Sequence, residues 1–107
     1  MLAGIEGIEV PVQRHYVDPM WHLYPLRVEA GRRRSIFEGW RAAGVGVQVN
    51  YVPAYWHPVF AEGSYPRGLC ELAERFYSEE ISLPMYATLT PGVQEDVVHG
   101  LRRSMMN

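Results

Sequence analysis

The sequence predicts an α+β fold (an α/β layer), a small sheet with helices packed mainly on one side. Three observations lead there. Short runs of β-branched and aromatic residues, 21-WHLYPLRV-28 and 45-VGVQVN-50, read as strands. Three longer segments, 32–43, 66–78 and the stretch from residue 90, carry apolar residues at helical spacing. The chain has 107 residues, enough for one core. The elements run β-α-β-loop-α-β-α, an order that suits helices laid over one face of a short sheet.

The lead-in, residues 1–20, repeats 4-GIE-6 as 7-GIE-9 and then meets Pro11 and Pro19. It reads as turn-rich, with a short strand near Ile8–Val12. In 21-WHLYPLRV-28, Pro25 removes a ladder donor, so an edge strand or a bulge is expected. In 32-RRRSIFEGWRAA-43, Ile36, Phe37, Trp40 and Ala43 share one face, and Arg34, Glu38 and Arg41 the other. Gly44 suits the left-handed position that ends a helix. Gly39 weakens the helix by about 1 kcal/mol relative to alanine, and close packing would give it a purpose. Val45, Val47 and Val49 share a face of the next strand.

The second helix is expected over 66–78, with Pro66 in its first turn. Leu69, Leu72, Ala73, Phe76 and Tyr77 form its buried stripe, and Glu71 and Arg75 make an i,i+4 pair. Glu71, Glu74, Glu79 and Glu80 read as a solvated face. The segment 81-ISLPMY-86 is extended, because Pro84 disfavours helix before it. The last helix opens at 90-TPGVQED-96, with Thr90 as cap and Pro91 at the first helical position. Its apolar face is Val97, Val98, Leu101 and Met105.

Composition excludes several functions. The net charge of −2 leaves no basic footprint for nucleic acid. No apolar run reaches membrane-span length and no signal peptide is evident, so a cytoplasmic protein is expected. The lone Cys70 forms no disulfide framework and reads as a small buried residue. The four histidines lack metal-ligand spacing, so no metal site is expected. There are ten arginines and no lysine, so no Schiff-base chemistry can come from this chain alone. The run 32-RRR-34 reads as a solvated first turn, with anion binding as the alternative.

The most unusual stretch is 50-NYVPAYWHPVF-60. It is uncharged, stiffened by Pro53 and Pro58, and rich in aromatic side chains. Tyrosine and tryptophan combine flat apolar area with a polar tip, which suits a sugar ring or a base. The same features also suit a loop that simply packs.

Taken in order, 4-GIEGIEVP-11, 22-HLYPLRV-28, 42-AAGVGVQVNYVPAYWHPVF-60 and 72-LAERFYSEEISLPMYATLTPGVQEDVV-98 resemble the C-terminal part of the DegT/DnrJ/StrS nucleotide-sugar aminotransferases, which depend on pyridoxal phosphate. The resemblance covers nearly the whole chain. It implies the small domain of a fold-type I transaminase, acting on nucleotide-linked keto sugars in amino-sugar biosynthesis. The cofactor domain, with its Schiff-base lysine, would lie in another part of the enzyme or in a separate chain. This chain would then hold no cofactor and no catalytic residue, and would be inactive alone. The resemblance also implies that the 50–60 loop borders a nucleotide-sugar pocket. Asn50, Tyr51, Tyr55 and His57 are the candidates to line it, with Arg27 for an anionic group. Many family members have His-Tyr where this chain has Asn50-Tyr51, so an acid–base role for that histidine does not transfer. The alternative is a stand-alone module that binds a sugar nucleotide or a protein. Its former domain interface would expose Met20, Trp21, Trp56 and Met85 and could support a homodimer.

Overall fold

The computed structural model describes residues 1–106. Three antiparallel strands, β1 (Ile8–Glu9), β2 (Tyr24–Val28) and β3 (Glu80–Leu83), form a sheet in the order β1-β2-β3. Three helices accompany it: α1 (Ala30–Ala42), α2 (Glu71–Glu79) and α3 (Pro91–Met106). The expected α+β layer is present.

The core forms where one face of the sheet meets α1 and α3. Leu26, Val28 and Ile81 from the strands pack with Ile36, Trp40, Val47 and Leu101. Two glycines let the helices approach. A Cβ on Gly39 would lie 2.7 Å from Ser104 Oγ, and one on Gly100 would lie 3.0 Å from Trp40 Cδ1. Gly39 therefore has the packing role anticipated for it. Trp40 donates its indole N–H to the Val97 carbonyl at 3.0 Å, so its one polar atom is satisfied inside the core.

The helix ends follow their sequence signals. Gly44 adopts φ +82° and donates to the Arg41 carbonyl, while Val45 donates to that of Trp40. This is the two-bond Schellman ending of α1. Ala43, expected on the buried face, is exposed at this end. Thr90 accepts the Val93 N–H on its hydroxyl at 3.3 Å and caps α3. Arg32 donates to the Met105 carbonyl at 2.8 Å, which places a cation at the negative end of α3.

Three expectations are corrected. First, residues 45–50 do not form a strand. Val47 donates to the Val45 carbonyl two residues back, a tight turn that breaks the extended run. Only Gln48 pairs with the sheet, through an isolated bridge to Ser82.

Second, β2 is the middle strand, yet Pro25 costs the sheet nothing. Pro25 lies opposite Ser82, and Ser82 turns its N–H and carbonyl outward to Gln48. The Pro25–Ser82 pair is therefore the non-bonded kind, and the missing donor faces the β1 side. β1 pairs only as far as Glu9, opposite Arg27. At Pro25 the middle strand is locally an edge.

Third, the second helix starts at Glu71 and not at Pro66. Pro66 accepts from Leu69 in a turn, and Gly68 sits at φ +91°, outside the helical region. Its stripe is not buried either. Leu69 is 52% exposed and Leu72 82%, with Ala73 and Phe76 also exposed and Tyr77 half-buried. No residue of α2 belongs to the core. Arg75 pairs with Glu79, not Glu71, at 2.9 Å.

Candidate functional site

The loop after Gln48 is built from successive tight turns. Pro53 is buried and begins a 3-10 turn over Ala54–Trp56, and a second follows over Pro58–Phe60. Trp56 donates to the Pro53 carbonyl at 2.9 Å and Phe60 to that of His57 at 2.9 Å. Pro58 stands at the first position of the second turn, where its lack of an N–H costs nothing.

The aromatic side chains of the loop divide into two sets. Trp56 packs inward. Its ring meets Tyr77 of α2 edge-on at 5.7 Å, and the Arg67 guanidinium lies 3.8 Å from its ring centre. It is half-buried, so it does not belong to an open interface as expected. Tyr51, 65% exposed, and His57 face solvent. Asn50 is half-buried at the loop entry, with its amide 3.4 Å from Gln48 Oε1.

Tyr55 and Arg27 are already engaged. The Tyr55 hydroxyl donates to the Glu74 carboxylate and accepts the Cys70 N–H at 3.2 Å. Burial, and then the bond to Glu74, hold that hydroxyl above the ordinary phenol range. Arg27 bonds Glu79 through Nε and Nη2 at 2.9 and 2.6 Å, and Glu9 through Nη1 at 2.9 Å. Bonds from Arg75 and then Arg27 keep the Glu79 carboxyl below its usual range. Asn50, Tyr51, Tyr55 and His57 thus share one loop of successive turns, with Tyr51 and His57 open and Tyr55 engaged, while Arg27 is tied to two carboxylates.

The glutamates around α2 do not form the expected solvated face. Glu80 is fully buried, and its carboxylate accepts the Asn50 N–H at 2.7 Å and the Ser82 hydroxyl. Glu74 accepts the Gly68 N–H at 2.6 Å as well as Tyr55. One signal in the sequence could have exposed Glu80. It opens a strand whose next two residues, Ile81 and Ser82, are buried, where charge is rare unless it has partners. Cys70 is exposed, just ahead of α2, rather than buried. The 32-RRR-34 arginines are spent locally. Arg32 caps α3, Arg34 pairs with Glu38 at 2.8 Å, and Arg33 lies over Tyr77.

A cavity of about 550 Å³ lies elsewhere, lined by His22, Gln48, Ser82, Tyr86 and Asp96 among others. None of the five candidate residues lines it. Among the described residues no cluster could hold a metal ion, and no helix is long and apolar enough to cross a membrane.

The profile of the DegT/DnrJ/EryC1/StrS aminotransferase family matches residues 1–102. The chain belongs to this family. It is 36% identical over 85 residues to dTDP-3-amino-3,4,6-trideoxy-alpha-D-glucose transaminase of Streptomyces venezuelae, covering 78% of this chain and 22% of that protein. It is 32% identical over 105 residues to the uncharacterized protein MJ1066 of Methanocaldococcus jannaschii, covering 94% of this chain and 27% of that one. The crystal structure of S. venezuelae DesV with a ketimine intermediate superposes with a TM-score of 0.87 at 33% identity, covering 95% of this chain and 27% of DesV. The chain thus spans about a quarter of the length of the relatives it matches.

Pyridoxal phosphate is the cofactor of the aminotransferase family, and the residues of this chain do not fit it as a covalent anchor. The chain contains no lysine, so it offers no side-chain amine to which the cofactor could be joined. No step of transamination is assigned to these residues.

Proposed function

We propose that this chain is the small C-terminal domain of a pyridoxal-phosphate-dependent aminotransferase that acts on nucleotide-linked keto sugars in the cytoplasm. The observation that carries the reading is the open apolar stripe of α2 on a chain that matches about a quarter of its sugar-transaminase relatives. A helix with an apolar face and no buried residue is a packing surface awaiting its counterpart. The counterpart is the lysine-bearing cofactor domain, in the same enzyme or on a separate chain. The cofactor supplies the electron sink for amino transfer, and the protein binds and orients the reactants. The share that falls to this chain is substrate contact. Asn50, Tyr51 and His57 line one wall of the nucleotide-sugar site, with Tyr55 as a brace behind them, while Arg27 is held away by Glu79 and Glu9.

A chimera tests this. The matching segment of the S. venezuelae transaminase is replaced by this chain, and amino transfer to a nucleotide keto sugar is assayed. The chimera turns over, while this chain mixed with pyridoxal phosphate does neither chemistry nor Schiff-base formation. A folded chimera that binds the cofactor yet transfers no amino group would sink the reading.

A further inference from the structure

We infer that Glu74 and Glu80 are positioning residues, two carboxylates that grip the 50–60 loop at its entry and its middle and hold it in one shape before a ligand arrives. What the loop binds rests on the function proposed above; the grip itself does not.

Glu80 is the stronger case. A fully buried carboxylate is costly unless it is well paired. Its partners are the Asn50 N–H and the Ser82 hydroxyl, both neutral. The nearest arginine in the ladder, Arg27, sits opposite it but spends its donors on Glu79 and Glu9. A buried carboxyl group with no cation beside it is poor design for stability alone, since an apolar residue of similar size is often as good or better. A carboxyl oxygen does offer a backbone N–H the acceptor that an apolar side chain cannot. Here that bond falls on the first backbone N–H of the loop, two residues after Gln48 joins Ser82 at 2.7 and 3.1 Å.

Glu74 makes the second grip. One oxygen, Oε2, accepts both the Tyr55 hydroxyl and the Gly68 N–H. The same hydroxyl accepts from Cys70. The loop is therefore tied to the start of α2, next to the edge-on contact of Trp56 with Tyr77. The two grips are coupled, because α2 ends at Glu79 and β3 begins at Glu80 with no residue between. Tyr51 and Pro53 lie between the anchored positions, and His57 lies two residues beyond the second. Ordering this segment in advance removes an entropic cost from binding.

The test uses the whole 107-residue chain, labelled for amide hydrogen exchange by NMR, with the variants Glu80→Gln and Glu74→Gln. Both keep side-chain size and remove the charge. The expected result is exchange at least about tenfold faster at Asn50 in the first and at Gly68 in the second, with shifted signals at Tyr51 and His57. The Trp40 indole and the Leu101 amide stay protected. Should Glu80→Gln not fold, Ser82→Ala removes one donor from the same carboxylate and must perturb Asn50 and Tyr51 in the same way. Loop signals unmoved in folded variants would overturn the inference. So would exchange that rises equally at Trp40 and Leu101, because the carboxylates would then serve only global stability. A parallel titration of the chimera described above with dTDP-glucose separates the two readings. If the wild-type chimera binds it, the same variants in the chimera bind about tenfold or more weakly. If the chimera does not bind while the loop effects appear, the substrate reading fails and the grip stands.

Discussion

The sheet with α1 and α3 and the 50–79 region with α2 are held together by different physics. In the first, apolar side chains from three directions close on one another, and even the indole of Trp40 has its bond inside. In the second, Leu69, Leu72 and Phe76 stay open, and polar contacts do the holding: Glu80 on Asn50, Glu74 on Tyr55 and Gly68. The first region is complete with its own residues. The second is shaped by its own residues and leaves an apolar face open, and the candidate residues Asn50, Tyr51, Tyr55 and His57 lie there.

The largest test of that contrast is Trp40→Ala. It opens a cavity between α1 and α3 and strips the Val97 carbonyl of its donor. The expected loss is about 3–5 kcal/mol, a large part of the total for a domain this small. Urea denaturation followed by circular dichroism measures it. Gly100→Ala comes next. Alanine favours the helix by about 1 kcal/mol, but the new methyl meets the Trp40 ring at 3.0–3.2 Å in a packed interior. Overpacking of this kind costs about 1–3 kcal/mol, so a net loss is expected. Gly46→Ala, with open space around it, is the control. If Gly100→Ala were as harmless as the control, the tight α1–α3 contact would be refuted.

The same contrast explains what could be read from the sequence. The α1 end at Gly44 and the α3 start at Thr90-Pro91 were legible because their causes are local: one residue free to take positive φ, one hydroxyl, one ring without an N–H. The central position of β2 was not, because Pro25 is tolerated only through the shortness of β1, a long-range fact. The missing strand at 45–50 had the right residue types, and a single turn bond between Val45 and Val47 overrode them. For α2, the periodicity correctly marked an apolar face. Periodicity cannot tell whether the partner of such a face is in the same chain. The candidate loop was found through its composition, but its braces were not, since Glu74 and Glu80 look like any acidic surface until the fold sets donors against them.

A smaller effect comes from acid. The folded Glu79 carboxyl titrates below its ordinary value of 4.5, chiefly through Arg75 and then Arg27. A depressed folded value means that the stabilisation is complete above the unfolded value and is lost as pH falls through the folded one. Thermal midpoints should therefore be level above about pH 5 and fall below pH 4. Glu79→Gln should flatten that fall. Because Arg27 also links β1 through Glu9, exchange at the β1–β2 ladder should rise first. A fall of the same depth in Glu79→Gln would move its cause to other carboxylates.

The smallest expected effect carries the most weight for the comparison. Leu72→Glu replaces an apolar side chain that is 82% exposed. Leucine and glutamate have similar helix propensities, and the position contributes nothing to the core. Stability of this chain should change by less than about 0.5 kcal/mol. A large loss would mean that α2 is packed in solution and that the two regions do not differ. In the chimera with a cofactor domain the same substitution should be severe. There it places an unpaired charge in an apolar interface, which costs far more than the lost leucine contacts. A residue that is neutral to its own fold and costly to the assembly is the signature of a surface kept apolar for a partner, and measuring Leu72→Glu in both settings distinguishes that from a face that is merely unfinished.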